Sequence, residues 1–350
     1  MYALQLTGPN KYEYLEMDRP IPNEFEVLIK VHRVGICGTD IEMLHGTMPY
    51  FEMGWTSYPV ILGHEWSGTI VEVGSAVSTL VPGDRITGDV SIGCGQCQSC
   101  MEGLYSLCDQ RQEVGLSRGK QGGFAQYMTM PAKHCYKLPE NVSLDDGSLV
   151  EPTATVVRAI RKAHLHVGSS VYIAGDGPIG LLALQAAQAM GASQVFLGGT
   201  DPEKLAMAKK LGATHTINVL TENVREKVMD LTQGRGSPLS VEASGAGAAL
   251  NQCIEVTRMG GKVSVIGVYD KPIEKMNMGL VVVKDLDLCC SVASPNAFRH
   301  TLDMMNVGKI KVAPLVSDVF DLADAGSAFE KQQSNCAGRI KIQLKPDTKE

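Results

Sequence analysis

Long hydrophobic runs are missing from this chain: none reaches the ~18 residues that a membrane-spanning helix needs. The opening stretch, MYALQLTGPNKYEYLEMDRP, offers neither a basic segment leading into an apolar one nor a cleavage site of small residues. Positive charge is also short, because 32 Lys and Arg stand against 38 Asp and Glu, a net charge of −6, and the basic residues are scattered. These absences predict a soluble, cytoplasmic protein with no nucleic-acid partner and no membrane partner. Internal repeats, low-complexity tracts and proline-rich linkers are absent too.

What is present is apolar residue in quantity, 44% of 350 residues, enough for large cores and a length that suggests two domains. Short alternating runs such as VLIKVHRV and GTIVEVG, broken by Gly and Pro, make the first 150 or so residues β-rich. From about residue 153 strands and helices alternate: VYIAG, LLALQAAQAMGA, QVFLGG, PEKLAMAKKLGA, HTINV and onward to KVSVIGV. That alternation predicts an α/β fold with a parallel, doubly wound sheet. The boundaries expected are 1–152, 153–293 and a tail, 294–350, that returns to the first domain.

Ten cysteines in a cytosolic chain of this size do not read as a disulfide framework, which belongs to small secreted domains. Cys94, Cys97, Cys100 and Cys108 stand out in the stretch CGQCQSCMEGLYSLC. A Gly/Gln/Ser-rich lobe has little apolar content of its own, and a tetrahedral thiolate clip around zinc would fix it. Iron–sulfur ligation is the alternative, but ferredoxin-type runs bring a fourth Cys after three residues and follow it with Pro. Here seven residues intervene and Asp follows, so structural zinc is favoured. Cys135, Cys253, Cys289, Cys290 and Cys336 fit no ligand spacing and are expected as buried small apolar groups.

GDGPIG supplies Gly175, Gly177 and Gly180, with Pro178 and Ile179 between, after a strand and before a helical run. In that context the pattern predicts a dinucleotide pyrophosphate site. An NAD site favours an acid at the end of the second strand; this chain has Gly199 and Thr200 there, with Asp201 displaced, so NAD and NADP both stay open. A second cluster, VGICGTD with GHEWSG, brings Cys37, Thr39 and Asp40 together with His64 and Glu65. A thiolate, an imidazole and a carboxylate form a three-ligand zinc set with one place left for substrate. An open zinc beside a nicotinamide is what oxidation of an alcohol requires.

Together the landmarks G-I-C-G-T-D (35–40), G-H-E (63–65), V-P-G-D-R (81–85), the four-cysteine lobe, G-G-F-A-Q-Y (122–127), V-E-P (150–152) and G-D-G-P-I-G (175–180) resemble the zinc-containing medium-chain dehydrogenases/reductases, in the sorbitol (polyol) and threonine dehydrogenase branch. The resemblance implies a GroES-like β-rich catalytic domain interrupted by a Rossmann domain, with the active site in the cleft between. It implies catalytic zinc on Cys37 and His64, with Glu65 and Glu151 as candidates for the remaining places, and structural zinc on the four-cysteine lobe. It makes Thr39 the start of a proton relay that Glu42 or His45 could continue. The adenosine end of NAD+ or NADP+ would lie at Gly199, Thr200, Asp201 and Lys204.

The activity implied is reversible oxidation of a secondary alcohol of a polyol, sugar, cyclitol or amino alcohol. L-Threonine 3-dehydrogenation or simple secondary-alcohol oxidation is the alternative within the branch. Zinc-free reduction of an activated C=C bond and a non-catalytic nucleotide-binding relative are the outside readings, and the intact ligand set argues against both. Relatives are commonly tetramers or dimers, so a homo-oligomer is expected.

Overall fold

A computed structural model describes residues 1–269, 272–334 and 336–346. Two compact units result. One comprises Met1–Glu151, Ala293–Asn306 and the chain from Val312 on; the other comprises Pro152–Val292 and Val307–Lys311. The second unit thus reclaims a short segment of the tail. Gln185 is the reason: its side-chain amide donates to the Lys311 carbonyl (3.1 Å) and its oxygen accepts the Lys311 N–H (2.8 Å).

The first unit is built on a seven-stranded sheet. In spatial order it runs Val316–Asp321, Lys341–Lys345, Glu26–Gly35, Glu65–Val73, Arg85–Gly88 and Cys135–Lys137, with Tyr127–Pro131 also paired to Glu26–Gly35. Alternation dictates which side chains enter the core. In Tyr127–Pro131 the buried residues are Met128 and Met130, while their neighbours are partly exposed. Edge strand Val316–Asp321 alternates half-buried and exposed, whereas Glu26–Gly35, flanked on both sides, is buried at most positions. The core gathers Leu4, Leu6, Val27, Ile29, Trp66, Phe124 and Phe329.

The second unit carries six parallel strands in the order His215–Asn218, Gln194–Gly199, Ser170–Ala174, Ser237–Glu242, Thr257–Val265 and Asp287–Cys290. Helices cover the sheet, so Val171, Tyr172 and Ile173 are all fully buried and the strand reads as a continuous apolar run. The order reverses between Ser170–Ala174 and Ser237–Glu242, the place where open α/β sheets bind ligands.

The turn leaving Ser170–Ala174 is tight. Gly175 has φ +130°, and a Cβ on Gly180 would lie 1.9 Å from the Gly175 carbonyl oxygen. Helix Pro178–Ala189 can therefore start only if residue 180 has no side chain. Gly180→Ala is expected to cost about 1–3 kcal/mol by overpacking. The check is the thermal midpoint of the intact protein by far-ultraviolet circular dichroism, which should fall.

Candidate active site

Strand register brings the first cluster together. Glu26–Gly35 and Glu65–Val73 are antiparallel, and Gly35 pairs with Glu65. His64 precedes that pair in one strand and Cys37 follows two residues after it in the other. The ligand atoms of Cys37, His64 and Glu65 consequently all lie within 4.8 Å of one another. Gly35 must be glycine, because a Cβ there would come within 2.1 Å of Glu65 Oε2.

Cys37 follows its strand by two residues and is the N-cap of helix Gly38–His45. Its backbone N–H donates to Asp40 Oδ2 (2.8 Å), which fixes Asp40 in the first helical turn, fully buried. The other oxygen, Oδ1, stands 3.5 Å from His64 Nδ1, and neither atom makes a hydrogen bond. Burial by itself lowers the His64 pKa, but the Asp40 carboxylate and the Cys37 sulfur outweigh it and hold it well above the usual value. A partly buried thiol, a buried imidazole facing a carboxylate and a net excess of negative charge form the donor chemistry of a zinc site, with Asp40 as the outer partner.

Glu65 has a partner that spacing alone did not reveal. Lys341, buried on the strand Lys341–Lys345, donates to Glu65 Oε1 (2.8 Å) and Oε2 (2.7 Å) and to the Ile36 carbonyl (3.1 Å). Burial lowers the Lys341 pKa, yet Glu65 and Cys37 reverse this and the net direction is upward. Both carboxylate oxygens of Glu65 are thus committed to an ammonium group.

Thr39, Glu42 and His45 follow at three-residue spacing on helix Gly38–His45. Thr39 Oγ1 lies 3.9 Å from Cys37 Sγ. Glu42 is half-buried, and His45 is exposed with its Nδ1 2.7 Å from Asn10 Oδ1. Glu151 is buried at the start of helix Val150–Lys162 and is not among the mutually close donors of the Cys37 cluster. Trp55 lines a cavity of about 390 Å³ with Arg118 and Lys120, and its ring is flanked at 4.9 Å by Arg111 and Arg118.

In the cysteine lobe, the sulfurs of Cys94, Cys97, Cys100 and Cys108 also lie within 4.8 Å of one another, and all are free thiols. Cys97 caps the one-turn helix Gln98–Met101, and Cys108 follows the 3₁₀ turn Tyr105–Leu107. Backbone N–H groups of Gln96 and Cys97 lower the Cys94 pKa to about 6, whereas burial raises that of Cys100 to about 12. Four thiolates this close repel one another unless a cation offsets them, which suits a closed tetrahedral zinc site. Little apolar packing substitutes for it: Met101 is 74% exposed and Leu107 50%. Tyr105 anchors the lobe by donating to Asp89 Oδ2 (2.6 Å). Of the remaining cysteines only Cys253 is fully buried; Cys135 and Cys289 are partly buried, while Cys290 and Cys336 are exposed, contrary to the sequence expectation. Cys290 ends the outermost strand of its sheet, which pairs with a neighbouring strand on one side only.

At the glycine turn, Gly177 caps helix Pro178–Ala189, and a Cβ there would meet nothing within 4 Å. A twelve-residue helix thus presents its N-terminus at an open position, as pyrophosphate binding requires. Asp201 turns away from that turn: its Oδ1 accepts the N–H groups of Glu203 (2.8 Å) and Lys204 (3.4 Å), capping helix Pro202–Lys210. Asp176, from the glycine turn, takes the space beside Gly199 instead.

Comparison with known proteins agrees with this geometry. Residues 23–140 match the family model "Alcohol dehydrogenase GroES-like domain" and residues 178–306 match "Zinc-binding dehydrogenase". Sorbitol dehydrogenase of Bombyx mori is 33% identical over 98% of this chain and 98% of its own. L-Threonine 3-dehydrogenase of Coxiella burnetii is 32% identical over 92% of each. Among solved structures, a zinc-binding dehydrogenase of Sinorhizobium meliloti 1021 bound to NADP superposes with a TM-score of 0.91, at 30% identity and over 99% of each chain. The chain belongs to the zinc-type medium-chain alcohol dehydrogenase family.

This dehydrogenase is accordingly an oxidoreductase that uses zinc and NAD or NADP, with GroES-like and Rossmann architecture. Among the described residues no helix is long and apolar enough to cross a membrane. Three residues of the sites went unassigned from sequence: Asp40 as the partner of His64, Lys341 and Asp176. Only Lys341 carried a usable signal, a lysine in the apolar terminal run RIKIQL at a position that strand alternation places with Gln343.

Lys341→Met is expected to cost about 3–5 kcal/mol, since it strands a buried carboxylate. Adding Glu65→Gln should restore most of the loss, and the denaturation midpoints of the single and double variants measure it. Elemental analysis should find two zinc ions per chain, with one lost in Cys37→Ala. Iron with sulfide would refute the reading of the cysteine lobe.

Proposed function

We propose that this dehydrogenase reversibly oxidises a secondary alcohol of a polyol, sugar, cyclitol or amino alcohol to the ketone. The observation that carries the reading is the close pair of partly buried Cys37 and buried His64, with a hydroxyl, Thr39 Oγ1, 3.9 Å from the thiol. Relatives named for sorbitol and threonine, both with secondary alcohols, support the substrate class. Zinc held by Cys37 and His64 would supply Lewis acidity toward an alcohol oxygen, and the nicotinamide would supply the hydride acceptor.

The protein's own residues have distinct tasks in this reading. Asp40 Oδ1 faces His64 Nδ1 at 3.5 Å and is the charge partner of the imidazole. Lys341 neutralises Glu65, so that Glu65 contributes field and shape, and Glu151 is the other acidic candidate for the further ligand place. Thr39 Oγ1 accepts the alcohol proton and passes its own onward, with Glu42 one helical turn away as the next group. Cys94, Cys97, Cys100 and Cys108 hold a second zinc with no open place, which has a structural role.

Initial rates of nicotinamide reduction over polyols, cyclitols, aldoses and threonine test the substrate class. One responsive class, inhibited by chelator, is the expected outcome; silence across the panel from zinc-loaded protein would refute it. Thr39→Ala should lower kcat by roughly 10²–10⁴-fold, with Thr39→Ser near wild type. Cys37→Ala should abolish turnover in a folded protein, while Cys97→Ala should lower the melting temperature first.

A further inference from the structure

The adenosine end of the dinucleotide site has an unusual construction. Strand Gln194–Gly199 ends in two glycines, so it presents no side chain where an NAD-selecting acid would stand. Ala174 pairs with Gly198 in parallel register, and the glycine turn that follows Ala174 therefore runs beside the turn that follows Gly199. Asp176 is the residue at that crossing. A Cβ on Gly199 would come within 2.4 Å of both Cβ and Oδ2 of Asp176, so the Asp176 carboxylate already fills the volume that a side chain at 199 would use.

Its position is held by the backbone. Asp176 Oδ2 accepts the N–H groups of Thr200 (2.7 Å) and Asp201 (2.8 Å). Two adjacent amides at a helix start are what a 2′-phosphate would draw upon; here a carboxylate occupies them. Asp176 is half-buried, and among the described residues Oδ1 has no hydrogen-bond donor, which leaves it able to accept from a hydroxyl. Lys204, the cation of this turn, stands 3.9 Å from Asp201 Oδ2.

We propose that Asp176 selects the dinucleotide. From the first glycine turn it supplies the carboxylate that the end of the second strand lacks, accepts a ribose hydroxyl of the adenosine and repels a 2′-phosphate, so NAD(H) binds in preference to NADP(H). Acidic selectivity has moved from one βα turn to its neighbour, and Gly199 is the space that makes the move possible.

This rests on the glycine turn being the dinucleotide site, and the test separates the two. Dissociation constants of NADH and NADPH are measured by nicotinamide fluorescence for the wild type and for Asp176→Asn, which keeps an oxygen for the two amides but loses the charge. Wild type should bind NADH more tightly by on the order of 10- to 100-fold, the range for one charge-assisted hydrogen bond exchanged for a like-charge contact. In Asp176→Asn that ratio should fall at least about tenfold, chiefly through tighter NADPH. A purely structural role would weaken both dinucleotides alike and leave the ratio unmoved, which would overturn the assignment while the nucleotide site stands. Wild type that binds NADPH as tightly as NADH overturns it whatever the variant does. Wild type that binds neither overturns the reading of the glycine turn and the proposal with it.

Discussion

A buried ion pair, Glu65 with Lys341, ties together the three strands on which the catalytic cluster is built. Taking both groups out of water is costly, and it is tolerated because every proton of the ammonium group has an acceptor: two carboxylate oxygens and the Ile36 carbonyl. Gly35 lies beneath the carboxylate with no Cβ to obstruct it. A one-residue slip between Glu26–Gly35 and Glu65–Val73 would turn Glu65 away from Lys341 and carry His64 away from Cys37. The pair therefore fixes the register, and the register fixes the ligand set.

Electrostatically the two cysteine sites solve different problems. At Cys37, a buried carboxylate faces the imidazole and a lysine balances a second carboxylate, so the residual negative charge stays small and suits one cation with a place to spare. In the lobe the four sulfurs of Cys94, Cys97, Cys100 and Cys108 are the clustered donors, and exposed Met101 and Leu107 show how little packing is available. One arrangement is tuned for chemistry; the other is a substitute for a core.

At the nucleotide end, the same economy of space appears in glycines. Gly180 lets a helix approach the turn at Gly175, and Gly199 admits the side chain of Asp176. Gly180 is required by a carbonyl of its own turn, which the local motif shows, whereas Gly199 is required by Asp176, distant in sequence, which local composition cannot show.

Much of this protein was legible in one dimension. Strand and helix alternation after residue 153 follows from periods of two and 3.6 residues and from Gly and Pro punctuation, and the observed parallel sheet has that content. The four lobe cysteines are close in sequence, so their spacing alone specifies their meeting. Pairing Cys37 with His64 was legible as chemistry, from the residue types, but not as distance. What only the tertiary structure decided were contacts across long separations: Lys341 beneath Glu65, Gln185 drawing residues 307–311 into the second unit, Asp40 against His64, and Asp176 in the space left at Gly199. Local pattern determines which elements form, because it acts through neighbours along the chain. Which buried polar group meets which depends on strand register and parallel crossover, and these are set by the whole sheet at once.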